Sequence, residues 1–204
     1  MKFICGAIAI VLATSAAAQQ RPGRPSLRER VAEEHADVNV TINADGPAPT
    51  FSQVRSGTHI VVRGKIGQGV ARLSPDERDI TTTYDILNPR ILFSASPQKP
   101  TRPGEVERTP TITAAGGTVR IGSYSATVTY DDVPKLKQGS DVIALLTDQK
   151  GEFVPSNRVG LFEVRAGRIV PLAPERGEHQ KFAGATAEEF VGNVTRSLNE
   201  LRSK

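Results

Sequence analysis

Hydrophobic positions along this chain follow two rhythms. The first is helical and short. In "SLRERVAEEHA", Leu27, Val31 and Ala32 form a narrow apolar stripe, and Ser26 and Glu29 have the spacing of a capping box. That pattern predicts a short helix. From Asp37 the rhythm changes to period two. "DVNVTI" puts Val38, Val40 and Ile42 on one face and Asn39 and Thr41 on the other. "NADGPAPT" breaks the run with Asp45-Gly46 and two prolines. "THIVVRGKIGQGVARL" follows as a longer strand region, whose Gly64, Gly67 and Gly69 predict bulges or tight bends. "SPDERD" reads as a turn. "ITTTYDIL" resumes as a strand, and Asn88-Pro89 is expected to interrupt it before "ILF".

The second half continues in the same way. Ser94 to Pro110 holds four prolines and a glycine and reads as an exposed loop. "TIT", "TVRI" and "SATVTY" are short strands around Gly116-Gly117, and "DDVPKLKQGS" connects them to the apolar run "DVIALLT". "DQKG" then predicts a hairpin turn into "EFVPS". "VGLFEVRAGRIVPL" predicts the closing hairpin of the barrel. Phe162 and Val164 share one face, Glu163 and Arg165 the other, and Ala166-Gly167 turns the chain. Pro171 restricts the second arm to an edge or an end. At the C-terminus, Thr186 and Glu189 repeat the capping-box spacing. Phe190, Val191, Val194, Leu198 and Leu201 recur at helical period. The acids of the first turn and the cations near the end match the helix dipole. The apolar side of this helix must cover an end or a face of the β-domain.

About eight short strands with few helices between them give the expected fold. It is mainly β, an antiparallel OB-like barrel or sandwich with a short N-terminal helix and an amphipathic C-terminal helix. Residues 1–18 read as a signal peptide and 19–36 as a flexible leader with the short helix. Residues 37–174 form the β-domain, and 175–204 a linker with the last helix.

Composition changes the picture in one respect, the compartment. "MKFICGAIAIVLATSAAAQQ" has a basic start at Lys2, an apolar run from Phe3 to Leu12, and small residues at Ala16-Ala17-Ala18. The run is shorter than the ~20 residues that span a bilayer. The expected location is therefore extracytoplasmic, periplasmic or secreted, with no transmembrane segment after cleavage. The single cysteine, Cys5, lies inside this signal. The mature chain has no disulfide, thiol nucleophile or cysteine metal ligand. Removing Lys2 takes the formal net charge from +4 to +3. That is too small to imply nucleic acid or a membrane surface as partner. Arg21, Arg24, Arg28 and Arg30 read as a solvated basic leader.

The middle of the chain resembles a known arrangement. "HIVVRGKI", "ITTTYDILNPRIL", "AAGG", "VPKLKQGSDVIALLT" and "VGLFEVRAGRIVPL" are similar to an uncharacterised group of exported bacterial β-domains. The layout is also similar to netrin-like modules, OB-type barrels flanked by helices. The resemblance covers residues 58 to 172 and rests on Gly64, Thr82, Tyr84, Gly116, Gly117, Pro134, Leu136, Gly139 and Gly167. It implies a fold and no activity. The basic-Gly turn usual after the third strand is replaced by Asn88-Pro89-Arg90. The netrin-like disulfides are missing, which argues against metalloproteinase inhibition.

Candidate chemistry is sparse. His35, His59 and His179 have no partner at metal-ligand spacing. Ser123 and Ser125 in "GSYSAT" do not form a nucleophile elbow. "GKIGQG" lacks the order of a phosphate loop and reads as a bulged strand. Asp131-Asp132 could converge on a cation only in a turn. Tyr84, Tyr124, Tyr130 and Phe153 could line a binding face, but few basic residues interleave them, against nucleic acid. No catalytic residue, cofactor or metal is assigned. The expected function is a non-enzymatic exported module, binding or envelope-associated, with a protein or small-molecule partner. The alternative is a small hydrolase built from dispersed acids such as Asp132, His59 and the tyrosines.

Overall fold

The longest ribbon in the molecule comes from the two longest β-rich runs. Strands Ile60–Leu73 (β2) and Ile80–Ser94 (β3) pair antiparallel along their whole length. The computed structural model describes residues 25–43, 50–95, 110–149, 152–155, 160–173 and 177–203. The predicted signal, the start of the leader and most of the proline-rich stretch before Pro110 lie outside them.

Asn88-Pro89 does not interrupt β3. Arg63 pairs with Arg90 and Lys65 with Leu87, so Gly64 alone faces both Asn88 and Pro89. The extra residue is a bulge, with Asn88 at φ 51°. Gly64 makes the bulge possible. A Cβ there would lie 2.4 Å from Ile86 Cγ2 and 2.8 Å from the Leu87 carbonyl oxygen. A local breaker thus bends a strand that long-range pairing holds together.

The remaining elements are α1 (Leu27–Glu34), β1 (Val38–Ile42), α2 (Phe51–Gly57), β4 (Thr111–Ala115), β5 (Gly117–Ile121) and β6 (Tyr124–Tyr130). They continue with β7 (Asp141–Gln149), β8 (Glu152–Pro155), β9 (Leu161–Arg165), β10 (Arg168–Pro171), a 3-10 turn (Glu178–Phe182) and α3 (Ala187–Arg202). They make two sheets. The larger runs β10-β9-β7-β2-β3-β4, with β8 added on β7. The smaller runs β1-β6-β5, and its β1–β6 pair is parallel. The protein is mainly β with helices near both ends, as the sequence predicts. The larger sheet curls until β4 approaches β8, but no ladder joins them among the described residues. It is not a closed barrel, and the β9–β10 hairpin does not close one, because β10 stands at one end of the sheet order.

Alternation divides the interior. On β2, Ile60 and Val62 face one way and Val61 the other; on β7, Val142, Ala144 and Leu146 oppose Ile143 and Leu145. Both strands are therefore buried on two faces. The inner set meets Ile66, Ile86 and Ile112 inside the curl. The outer set is covered by α2 and by Phe190, Val194 and Leu198 of α3. This is the face that the apolar side of the last helix was expected to cover. A third core joins Leu27 and Val31 of α1 to Val38, Ala126, Val128 and Ile80 beneath the smaller sheet.

Two packing elements escape the sequence reading. Helix α2 is short, but Thr50 and Gln53 form a capping box, and Phe51 and Val54 are buried. The 3-10 turn between β10 and α3 brings Phe182 against Phe51 (4.7 Å between ring centroids) and Phe190 (5.1 Å). Phe162 joins the cluster 4.5 Å from Phe190. Such tilted aromatic pairs add stability beyond the area they bury.

The β9–β10 hairpin turns at Ala166 (φ 48°) and Gly167 (φ 77°), with Arg165 paired to Arg168. Both positive φ angles are what a two-residue type I′ turn needs. β10 is an edge, as Pro171 predicts, and its outer side is bonded by the segment leading into α3. Ile169 N–H donates to the Ala185 carbonyl at 2.9 Å and Ala187 N–H to that of Gly167 at 2.9 Å.

Gly167→Val places a branched side chain in left-handed backbone, a penalty of about 1–2 kcal/mol. The melting temperature is expected to fall by about 2–4 °C per kcal/mol in a domain of this size. An unchanged melt would show the turn to lie elsewhere. The carboxyl of Glu189 is held below its ordinary range, first by the Thr186 backbone N–H and then by the Thr186 hydroxyl. Its contribution is present above the ordinary carboxylate pKa and is lost as pH falls through the depressed folded value. Glu189→Gln should therefore lower the melting temperature at neutral pH and reduce the loss on acidification to about pH 3. Parallel acid profiles for variant and parent would contradict this.

Candidate functional site

The chain leaves one sheet and enters the other within two residues. Strand β4 ends at Ala115, Gly116 turns at φ 90°, and Gly117 begins β5 at φ 139°. Neighbours hold this corner from several sides. Gly116 N–H donates to the Ile80 carbonyl at 2.7 Å. The buried Thr82 hydroxyl donates to the Gly116 carbonyl at 2.7 Å. A Cβ on Gly116 would lie 2.8 Å from the Val128 carbonyl oxygen, and one on Gly117 would lie 2.3 Å from Thr82 Oγ1. Only glycine fits here, for reasons of both conformation and space.

At the corner β4 and β5 part into different sheets, and the end of β6 and the segment Val133–Leu136 lie beside them. The result is an open groove of about 290 Å³ lined by Thr82, Tyr84, residues 114–118, residues 127–130 and residues 133–136. Its two tyrosines are seated on glycines. The Tyr84 ring lies where a Cβ on Gly69 would come within 2.6 Å of it, and Gly69 is its cross-strand partner. The Tyr130 ring lies 3.5 Å from the Cβ position of Gly116, and its hydroxyl donates to Asp79. Asp79 is fixed in turn by accepting from the Ile80 N–H at 2.7 Å. Burial pushes the Tyr84 phenol up, so it stays protonated at neutral pH and can donate or accept.

Hydroxyls complete the walls. Thr118 and Thr127 are cross-strand partners with their hydroxyls 2.9 Å apart, and Thr129 follows on the same face of β6. Among the described residues that line the groove, Lys135 is the one that is charged. Six positions that carry the resemblance, Thr82, Tyr84, Gly116, Gly117, Pro134 and Leu136, gather here. Gly64, Gly139 and Gly167 serve bends elsewhere.

The other sequence candidates do not converge on the groove. His59 is exposed at the start of β2, ten residues before Gly69 and hence about 30 Å away along an extended strand. His35 ends α1 in left-handed backbone (φ 48°). His179 is buried (1% exposed) in the 3-10 turn, with Gln180 Nε2 3.2 Å from its Nε2. Ser123 lies in the tight turn between β5 and β6, and Ser125 N–H donates to Asp37 at 2.7 Å. "GKIGQG" lies within bulged β2. Asp131 and Asp132 do occupy a turn, beside the groove at the end of β6. No group of three His, Cys, Asp or Glu able to hold a metal occurs among the described residues. Tyr124 is exposed at the far end of β6, and the side chain of Phe153 lies outside what is described.

Sequence reasoning named both groove tyrosines but missed Thr118, Thr127, Thr129 and Lys135. The alternation on β5 and β6 marks the threonines as one polar face. That this face meets an opening depends on how the two sheets splay. No helix among the described residues is long and apolar enough to cross a membrane. No protein-family model, curated protein or solved structure matches the chain.

Proposed function

We propose that the chain is an exported, non-enzymatic binding module and that its ligand site is the groove at the fork between the two sheets. One observation carries the reading. The groove is pre-formed, with its floor fixed by the bonded Gly116 corner and its tyrosines seated on Gly69 and Gly116. Walls that do not need ordering on binding retain more of the contact energy as affinity. The mixture of aromatic, aliphatic and hydroxyl groups suits a small ligand held in one orientation. The signal-like N-terminus supports export. The hydrolase reading draws no support from the arrangement, because His59 stands at the opposite end of β2 from the tyrosines it would need.

A fragment screen followed by amide chemical-shift mapping tests this. Weak ligands are expected to cluster at Gly116, Gly117, Thr127 to Tyr130 and Lys135. Hits confined to another face, or no hits on folded protein, would overturn the assignment of the groove. Turnover of chromogenic ester, glycoside or phosphoester substrates that is lost in His59→Ala would overturn the non-enzymatic reading.

A further inference from the structure

We infer that the groove takes a short saccharide. The inference rests on the binding-module reading above and adds the chemical class of the ligand. It follows from what the lining residues could and could not satisfy.

Charge sets the first limit. Lys135 is the only charged lining residue among the described residues. A nucleotide or other polyphosphate would bring several negative charges to one cation and leave the rest desolvated without partners. The ligand is therefore neutral or carries a single negative charge that Lys135 can meet.

Hydroxyls set the second. Thr118, Thr127, Thr129 and Tyr84 present groups that both donate and accept. The Thr118–Thr127 bond uses only part of the capacity of each. An acyl chain laid across them would remove water from this capacity and replace it with nothing, which is costly. A polyol restores it, because each ligand hydroxyl is also donor and acceptor.

The backbone sets the third. A peptide added as a strand would need free main-chain groups at the floor. At the corner itself those groups are already used, whereas β4 and β5, each the outer strand of its sheet, have no ladder on their other side among the described residues, so the peptide is separated from the saccharide by the test below. Gly116 N–H is bonded to Ile80 and the Gly116 carbonyl to Thr82. Gly117 is paired with Val128, and Ala114 with Thr82. Two of the lining residues are tyrosines. The Tyr130 ring packs on the core beneath the smaller sheet, and the Tyr84 ring, only partly buried, is the one that can offer its negative face to the polarised C–H groups of a pyranose. Leu136, partly exposed, adds aliphatic surface. A volume of about 290 Å³ lies at the small end of ligand sites. Aromatic face, hydroxyl rim and one cation together describe a sugar ring or two, neutral or with one carboxylate.

The test is an NMR titration of the intact chain with four probes: cellobiose, chitobiose, digalacturonate and a neutral blocked tripeptide. Saturable shifts at Thr118, Thr127, Thr129 and Tyr130 with at least one saccharide, and none with the tripeptide, are expected. Thr127→Val should weaken that saccharide by about three- to tenfold, the loss of one neutral hydrogen bond. Lys135→Gln should weaken digalacturonate more than the neutral sugars. Both positions are surface-accessible, so an unchanged melting temperature certifies the fold. If fragments or the tripeptide map to the groove and no saccharide does, the saccharide assignment is overturned while the binding module stands. If nothing maps there, both fall. Saccharide binding indifferent to Thr127→Val and Lys135→Gln would place the sugar at another site and also overturn the inference.

Discussion

The contact between Thr82 and the glycine pair 116–117 is the constraint on which the arrangement of the two sheets depends. The chain has no loop there with which to change direction. It passes from β4 to β5 in two residues, and both occupy backbone that side chains rarely adopt. The corner survives because its polar groups are paired. The Gly116 N–H and carbonyl are bonded to Ile80 and Thr82 on the same strand, β3. Leaving a buried carbonyl unmet would cost about 1–3 kcal/mol. The absence of a Cβ at Gly117 lets β5 come down onto Thr82, Ala71 and Ile80. The smaller sheet then shares Ile80 as part of its core with Val128, Ala126 and α1.

Fold and groove are consequences of the same corner. Gly116-Gly117 sends β4 and β5 into different sheets, and the groove lies at this fork, lined by the corner and by the end of β6. The curl of the larger sheet brings Tyr84 to one wall and the course of β6 brings Tyr130 to another. Helices α2 and α3 and the Phe51–Phe162–Phe182–Phe190 cluster cover the outer face of the β2–β7–β9 ladder, away from the fork. The two sheets set most of the site, and the irregular segment Val133–Leu136 supplies its one cation, Lys135.

Much of this was legible locally. Period-two alternation marked strands such as β1, whose two faces meet different surroundings, and an apolar run marked β7, which is buried on both. Capping boxes at Ser26–Glu29 and Thr186–Glu189 located the starts of α1 and α3, because the two residues that satisfy a helix terminus lie close in sequence. The same signal, Thr50–Gln53, was present for α2, but seven residues with two buried side chains give no visible period. Asn88-Pro89 misled for the opposite reason. Its local preference is to break a strand, and pairing along β2 overrides that preference through a bulge opposite Gly64. The groove was legible only in part. Gly116-Gly117, Thr82 and Tyr84 stand out as residues, but their meeting depends on contacts 34 positions apart, such as that between Thr82 and Gly116. No spacing rule encodes such a contact.

The most direct test of the corner is a double-mutant cycle in thermal or denaturant unfolding, made of Thr82→Ala, Gly117→Ala and the pair. The methyl of Gly117→Ala collides with Thr82 Oγ1 in the parent and has no such partner beside Ala at position 82. Strain from φ 139° is present in both backgrounds and cancels. The two substitutions together are expected to cost less than the sum of the single costs, by about 1 kcal/mol or more. Additivity to within about 0.5 kcal/mol would mean that Thr82 and Gly117 do not press against one another, and that something else sets the junction of the sheets.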